Sequence, residues 1–328
     1  MKVGFICLSL IVLLLSRNAV WALSPPALNP PSLPLLQTTP ALAAGKSQFN
    51  FVDEQGDPTR PVTVWMFVPE ACSGANRACP VQVVMHGVQR NGETYLDSWV
   101  EFAKDKKFIV IAPEFSRQYF PRDDDYSLGR STNEPDAKKW AFAVPDHLFD
   151  ELKLRYGLSA ASYRLFGHSA GGQFVHRLQL FYPEHRASPV IAANPGWYTE
   201  FEWGMADAVN TKFKFPYNTI GSRVDEARAK TALRRPFVLM LGDRDIDAND
   251  TSLNKSAGAN AQGLFRFARG QHFLTNAKAA AQKLGVAWNW QSITVPGVAH
   301  DQAAMAKAAI AFMYPSTPPS SDKKLEKQ

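Results

Sequence analysis

Residues 162–172 of this chain read Ser-Tyr-Arg-Leu-Phe-Gly-His-Ser-Ala-Gly-Gly. A short apolar strand leads there into a Gly-x-Ser-x-Gly turn, and an apolar helix is predicted to follow. In this pattern a sharp strand-to-helix turn holds the serine hydroxyl over the end of a sheet. Side chains at Gly167 and Gly171 would collide with the neighbouring strand and helix as the backbone tightens. We therefore predict that Ser169 is a nucleophile.

Strands and helices alternate along the rest of the chain. Strands are predicted at 62–68, 81–85, 108–112, 163–166, 189–193, 237–241 and 288–295. Helices are predicted at 94–106, 138–156 with a kink at Pro145, 172–181, 263–284 and 301–313. Such alternation is typical of an α/β fold with a mostly parallel sheet and helices on both faces. The chain has 328 residues, 45% of them hydrophobic, which is enough for one large core.

A serine hydroxyl is a weak nucleophile until a base accepts its proton, and the base is usually a histidine because its pKa lies near neutrality. His300 follows the last predicted strand, in the turn Val-Pro-Gly-Val-Ala-His-Asp at 295–301. We predict that His300 is the base. Four other histidines, His147, His176, His185 and His272, lie on predicted helices or at their ends, where core or surface roles are expected. His168 is expected to point away from the reacting centre.

The acid that orients the base is expected after a late strand, between nucleophile and base in the chain. Strand 237–241 runs through Gly242 into Asp-Arg-Asp-Ile-Asp at 243–247. Asp245 is the preferred acid because it has room to reach back to the imidazole. Asp247 is the second choice, and Asp243 is expected to be a turn or capping residue.

The same segment has an alternative interpretation as a calcium loop, because acidic and amide side chains alternate from Asp243 to Asn249. An EF-hand loop needs glycine at its sixth position and glutamate at its twelfth. This chain has Ala248 and Asn254 there. No His-Glu-x-x-His motif is present either. The sequence therefore predicts no metal site.

The oxyanion that forms during acyl transfer needs preorganised N–H donors. We predict the backbone N–H groups of Ala170, directly after the nucleophile, and of Val88, in the loop after strand 81–85. His86 and Gly87 in that loop are expected to contact substrate. An ordinary strand-to-helix turn with a structural histidine is the alternative.

An aromatic-rich insertion occupies residues 197–235 and has little clear periodicity. It is interpreted as a cap over the active site, or alternatively as a packed surface excursion. Trp197 and Tyr198, at its start, are predicted to contact substrate.

These motifs together resemble the α/β-hydrolase superfamily. They are His86-Gly87, the Gly-His-Ser-Ala-Gly turn at 167–171, Gly-Asp-Arg-Asp at 242–245 and Gly-Val-Ala-His at 297–300. The resemblance extends over residues 62–314, and the chain order Ser, Asp, His agrees with that fold. Within the superfamily, the Ser-Ala-Gly-Gly ending resembles the polyhydroxybutyrate depolymerase and feruloyl esterase group.

This resemblance implies a secreted serine esterase that forms an acyl-enzyme, needs no cofactor and acts on a small-molecule or polymeric ester. An amidase or peptidase would use the same three residues, and a polyamide with carboxylate side groups is a conceivable substrate for a basic protein. A relative that only binds a ligand is the alternative from another class. It would be expected to have lost one of the three residues.

The ends of the chain differ in composition from its middle. Residues 1–22 are predicted to be a secretory signal peptide, since Lys2 precedes an apolar run at 3–15 and small residues stand at positions 20 and 22. The run is shorter than a bilayer span, so no stable membrane anchor is expected after cleavage. Residues 23–45 are predicted to be a proline-rich linker, 46–314 the catalytic domain and 315–328 a disordered tail.

Cysteine content and charge give two further expectations. Removal of the leader removes Cys7 and leaves Cys72 and Cys79, which are predicted to form a disulfide in an oxidising compartment, the periplasm or the extracellular medium. Two unpaired thiols are the alternative. The formal net charge of +6 is mild, and no dense run of Lys and Arg occurs, so nucleic-acid binding is not expected.

Overall fold

One mixed sheet forms the centre of the protein. The computed structural model describes residues 40–205 and 212–315. The strands are β1 (Gly45–Phe51), β2 (Val62–Val68), β3 (Val81–Met85), β4 (Ile109–Glu114), β5 (Tyr163–His168), β6 (Ala187–Ala193), β7 (Phe237–Gly242) and β8 (Trp290–Val295). Across the described residues they join in the order β1-β2-β4-β3-β5-β6-β7-β8. The pairs β1–β2 and β2–β4 are antiparallel and all the others are parallel. The predicted mostly parallel sheet is confirmed.

Helices cover both faces of this sheet. They are α1 (Gly92–Asp97), α2 (Val100–Lys106), α3 (Asp123–Tyr126), α4 (Val144–Tyr156), α5 (Ala170–Phe181), α6 (Glu226–Arg234), α7 (Ala257–Gln262), α8 (Arg266–Lys283) and α9 (Gln302–Met313). Short 3-10 turns occur at Glu70–Cys72 and Ala137–Lys139. Helices α4, α5 and α8 contribute to one hydrophobic core, and α1, α2 and α9 to the other.

The two cores explain why β3 and β7 are almost wholly apolar. Consecutive side chains of a strand point to opposite faces of a sheet. In β3, Val83 belongs to the first core and Val84 to the second, and in β7 Leu239 and Met240 divide in the same way. Both faces of the sheet are therefore covered by apolar side chains, and β3 and β7 are buried along their whole length.

The helix boundaries differ from prediction at proline, glycine and tryptophan positions. The predicted helix 94–106 is broken between α1 and α2, where Trp99 is completely buried in the second core. The predicted helix 138–156 begins only at Val144, because Pro145 is tolerated in the first turn of a helix and not in its interior. Gly263, with φ of +145°, separates α7 from α8. Strand β1 and helices α3, α6 and α7 were not predicted.

The aromatic insertion 197–235 packs mainly into the protein. Tyr198 and Phe201 are fully buried in the first core. Its helix α6 packs against α5 and α8. Trp197, Pro216 and Tyr217 line a cavity beside Ser169. In the described residues, the insertion therefore supplies one wall of that cavity and part of the core.

The disulfide predicted between Cys72 and Cys79 is present, with Cα atoms 5.7 Å apart. The loop that it closes also pairs with the end of the predicted linker, since Gly74 N–H donates to the carbonyl of Leu42, which is buried. The predicted signal peptide 1–22, the linker residues before position 40 and the tail after Pro315 lie outside the described residues. No helix within the described ranges is long and apolar enough to cross a membrane.

Candidate active site

Four strand ends meet at one edge of the sheet. Because β3, β5, β6, β7 and β8 are parallel neighbours, their carboxyl ends lie on the same side. The loops that follow β3, β5, β7 and β8 carry Val88, Ser169, Asp245 and His300 respectively. In open α/β sheets, ligands bind in the crevice beyond these ends. All four predicted positions are thus brought to one crevice.

Ser169 lies in a strained turn between β5 and α5. Its φ and ψ are 58° and −118°, a conformation that residues other than glycine rarely adopt. A Cβ added at Gly171 would lie 2.2 Å from the carbonyl oxygen of Met85, and one at Gly167 would lie 2.3 Å from the carbonyl oxygen of Gly171. Both contacts are with backbone, which cannot move aside. The collision predicted from sequence for these two glycines is confirmed.

A chain of two hydrogen bonds connects Ser169 to Asp245 through His300. Ser169 Oγ lies 2.9 Å from His300 Nε2, and His300 Nδ1 lies 2.7 Å from Asp245 Oδ2. A carboxylate can only accept, so Nδ1 carries the proton and Nε2 is free to accept the one from the hydroxyl. The His300 side chain is 20% exposed and that of Asp245 only 3%. This arrangement can remove a proton from Ser169 and stabilise the imidazolium that results.

The alternative acid, Asp247, is exposed and its carboxylate accepts a hydrogen bond from the backbone of Asn249. Asp243 accepts from the N–H of Gly297 at 2.7 Å and so ties the turn after β7 to the turn before His300. The carboxylates of Asp243, Asp245 and Asp247 therefore bind three different partners. Within the described ranges, no cluster of His, Cys, Asp and Glu side chains could hold a metal ion.

Asn194 is a residue at this site that sequence analysis missed. It follows β6 with φ of +42°, and its side-chain oxygen accepts the N–H of Gly242 at 2.8 Å. Its amide donates to the carbonyl of Ala299 at 3.1 Å, directly before His300. Asn194 therefore joins the loop that carries Asp245 to the loop that carries His300. No local sequence signal marks it, because both partners are distant in the chain.

Arg266 is a second missed residue, at the start of α8. Its side chain is 2% exposed, and Nη1 lies 3.3 Å from Asp245 Oδ1 and 2.8 Å from Asp250 Oδ2. Nη2 donates to Ser252 Oγ at 2.8 Å. Burial opposes ionisation of Asp250, but hydrogen bonds from Arg266 and Ser252 outweigh it and lower the pKa of that carboxyl. The buried cation is thus paired, and it holds Asp245 on the side opposite His300.

Two cavities meet at Ser169. The first, of 430 Å³, is lined by both Val88 and Ala170, the predicted oxyanion donors, and by Trp197. The second, of 330 Å³, contains His300. Ala170 is the first residue of α5, so its N–H has no acceptor within the helix and is available to a ligand.

The four residues predicted to contact substrate divide into two pairs. Gly87 lines the second cavity and Trp197 the first. The Trp197 ring is held by the buried guanidinium of Arg177, which lies 4.1 Å from the ring centroid. Burial lowers the pKa of Arg177 to about 9.

The structure corrects the prediction for the other two, His86 and Tyr198. Both side chains are fully buried and line neither cavity. His86 Nδ1 donates to the carbonyl of Gly87 and Nε2 accepts the N–H of Phe115 at 3.0 Å. Burial lowers the pKa of His86 to about 3, so the ring stays neutral. Tyr198 stacks on Phe273 with ring centroids 4.5 Å apart. Both residues support the site from the core and do not reach a ligand.

The prediction that His168 points away from the reacting centre is wrong. Its ring centroid lies 4.6 Å from that of His300, and the residue lines the second cavity. The turn at Ser169 is so sharp that the residue before it stays beside His300.

Similar solved structures come from two polymer-degrading enzymes. A poly(aspartic acid) hydrolase from Sphingomonas sp. KT-1 is 32% identical over 82% of this chain and 98% of its own, with a TM-score of 0.74. A poly(3-hydroxybutyrate) depolymerase from Bordetella parapertussis is 31% identical over 85% of this chain and 93% of its own, with a TM-score of 0.75. An S-formylglutathione hydrolase from Agrobacterium tumefaciens, 15% identical over 82% of this chain and 92% of its own, shares the fold at a TM-score of 0.52. No family model and no curated protein matches the sequence.

Proposed function

We propose that this chain, which belongs to the α/β-hydrolase superfamily together with the two polymer-degrading enzymes above, is an exported serine hydrolase that cleaves carboxylic esters. The observation that carries the proposal is the hydrogen-bonded chain from Ser169 Oγ through His300 to Asp245, at 2.9 and 2.7 Å. It opens onto two cavities of suitable size for the two sides of an ester. Substitution of Ser169, argued in the Discussion, tests it.

In the proposed reaction the ester spans the two cavities. Its acyl part lies in the first cavity with the carbonyl oxygen toward the N–H groups of Val88 and Ala170, and its alcohol part lies in the second, beside His300. Ser169 Oγ attacks the carbonyl carbon as its proton moves to His300 Nε2. The bond to the alcohol oxygen then breaks, and that oxygen takes the proton from His300.

Water completes the reaction on the acyl-enzyme. Its oxygen attacks the acyl carbon while its proton moves to His300. The bond to Ser169 Oγ breaks, the serine regains a proton, and the free acid leaves. Throughout, Asp245 keeps the imidazole in the tautomer that accepts at Nε2.

Export is part of the proposal. It is supported by the predicted leader 1–22 and by the Cys72–Cys79 disulfide, since such bonds persist in oxidising compartments. We expect protein expressed with its own leader to accumulate outside the cytoplasm with Leu23 as its first residue, as measured by intact mass. A chain that retains Met1 and stays in the cytoplasmic fraction would contradict this.

A polyamide with carboxylate side groups is a second candidate substrate. The relative from Sphingomonas is named for a polymer of this kind and is as similar to this chain as the polyester depolymerase is. The exposed side chain of Arg117 supports it, because its guanidinium donates to the carbonyl of Val88 at 3.1 Å and so places a cation beside the crevice. The first cavity itself is lined by Asp123 and Asp124 and by Arg90 and Arg266, so side chains of both charges face it.

Salt dependence separates the two candidates. If the substrate is anionic, Arg117→Gln should raise KM for poly(aspartic acid) about threefold, and raising NaCl to about 0.5 M should have a similar effect because salt screens exposed charges. KM for a neutral ester should change in neither case. Arg155→Gln, which removes an exposed guanidinium at the end of α4, is the matched control. No measurable cleavage of poly(aspartic acid), or a KM that is insensitive to both changes, would rule out this candidate.

A further inference from the structure

The ring of His168 packs beside that of the proposed base. The two ring centroids lie 4.6 Å apart with an angle of 37° between the planes. His168 is 2% exposed, whereas the His300 side chain is 20% exposed. His168 makes no hydrogen bond to Ser169 Oγ in the described part of the chain, where His300 takes that role. The His168 ring is therefore a neighbour of the base and not a second base.

Tyr95 holds His168 in one orientation. The Tyr95 hydroxyl is hydrogen-bonded to His168 Nδ1 at 3.2 Å. Burial raises the pKa of Tyr95, so the phenol keeps its proton. Burial, followed by the charges of His300 and Arg266, lowers the pKa of His168 well below its usual value, so the ring is neutral.

Tyr95 also touches the loop that carries the predicted oxyanion donor. A Cβ added at Gly87 would lie 2.6 Å from the Tyr95 hydroxyl oxygen, so this contact is close. Gly87 directly precedes Val88. One hydroxyl group therefore contacts the oxyanion loop on one side and the neighbour of His300 on the other.

The contact between the rings of His168 and His300 matters most after the acyl-enzyme has formed. Before reaction, two hydrogen bonds fix the orientation of the His300 ring. One joins Nε2 to Ser169 and the other joins Nδ1 to Asp245. Once Ser169 Oγ is acylated it has no proton to donate, and only the bond to Asp245 remains. The ring can then swing about that bond unless a neighbour blocks it. A neutral aromatic ring beside it restricts this motion and does not repel the imidazolium.

We propose that His168, oriented by Tyr95, is a positioning residue that keeps His300 aligned for attack by water on the acyl-enzyme. The inference rests on the proposed serine-hydrolase function. It assigns a role to the residue before the nucleophile and to Tyr95, which lies 73 positions earlier in the chain.

The test compares His168→Ala with His185→Ala, which removes an equally buried imidazole away from the site. With a p-nitrophenyl ester, His168→Ala should lower kcat about 10- to 100-fold without raising KM, because a small misplacement of a reacting group has effects of this size. Deacylation should become the slow step, so a burst of p-nitrophenol should appear. His185→Ala should leave kcat within about twofold, as expected for a residue outside the reacting groups.

A second readout follows the position of His300 itself. Its Nδ1–H, bonded to Asp245, should give a far-downfield proton resonance that Asp245→Asn abolishes. The comparison is made in a Ser169→Ala background, which, like the acyl-enzyme, has no serine proton to donate to His300. There, adding His168→Ala should broaden or abolish this resonance, and adding His185→Ala should leave it unchanged. If His168→Ala does not fold, Tyr95→Phe, which removes one hydroxyl, carries the test with an expected kcat loss of about 3- to 10-fold.

Two results would overturn the proposal. One is a His168→Ala or Tyr95→Phe protein with kcat within about twofold of the parent, below the loss expected for a misplaced base. The other is a loss of kcat while the His300 resonance stays sharp. Failure of the serine-hydrolase function itself would look different, with no ester turnover in the parent protein while the resonance still responds to His168→Ala.

Discussion

Replacing Ser169 by alanine is expected to lower kcat for a p-nitrophenyl ester by about 10⁵- to 10⁶-fold, the loss typical of removing a nucleophile that acts together with its base. The structure gives His300 Nε2 a hydrogen bond to Ser169 Oγ at 2.9 Å. Alanine leaves the base with no proton to accept, and the covalent route is closed. KM should change little, because both cavities keep their walls.

The control for this variant is Ser292→Ala, an exposed serine on β8. It should keep kcat and melting temperature within error of the parent. Serine and alanine both carry a Cβ, so the unfavourable φ of 58° strains both alike and should not change the melting temperature of Ser169→Ala. A Ser169→Ala protein that is folded and retains even about a tenth of the activity would contradict the role of Ser169.

Asp245→Asn is expected to lower kcat by about 10⁴-fold. The carboxylate accepts the Nδ1 hydrogen of His300 at 2.7 Å and so keeps Nε2 free of hydrogen. An amide can donate to Nδ1, which places the ring hydrogen on Nε2 and prevents proton transfer from Ser169. The volume of the side chain is unchanged, and Arg266 keeps its pairing with Asp250 at 2.8 Å, so the fold should persist.

Asp247→Asn is the matched control, since the two acids are two positions apart and only Asp245 reaches His300. It should alter kcat less than about twofold, as surface substitutions do. The pair of variants therefore decides between the two acids that the sequence left open. A large loss in Asp247→Asn together with near-normal Asp245→Asn would contradict the structure.

The position of Ser169 was predictable because the geometry of its turn is local. Gly167, Ser169 and Gly171 lie within five positions, and the collisions that require glycine involve backbone of the same turn and of β3. Asp245 and His300 were predictable for a different reason. Each follows a strand, and the carboxyl ends of parallel strands meet at one edge, so chain order places them together without knowledge of side-chain contacts.

The supporting residues could not be found in this way. Arg266 and Asn194 act through partners 14 to 105 positions away, and neither carries a local pattern. His86 and Tyr198 stand beside functional loops in the sequence, but the direction of their side chains depends on burial against Tyr126 and Phe273. For His168, the alternation of side chains along the strand suggests a side chain that points away from His300. The sharp turn after it instead brings its ring beside that of His300.

Intact-mass spectrometry of the purified protein after incubation with a fluorophosphonate tests the central claim most directly, because this reagent modifies only an activated serine. The account predicts one adduct per chain in the parent protein and in Ser292→Ala, and none in Ser169→Ala. A folded parent protein that forms no adduct, or an adduct that persists in Ser169→Ala, would contradict the claim that Ser169 is the nucleophile of a serine hydrolase.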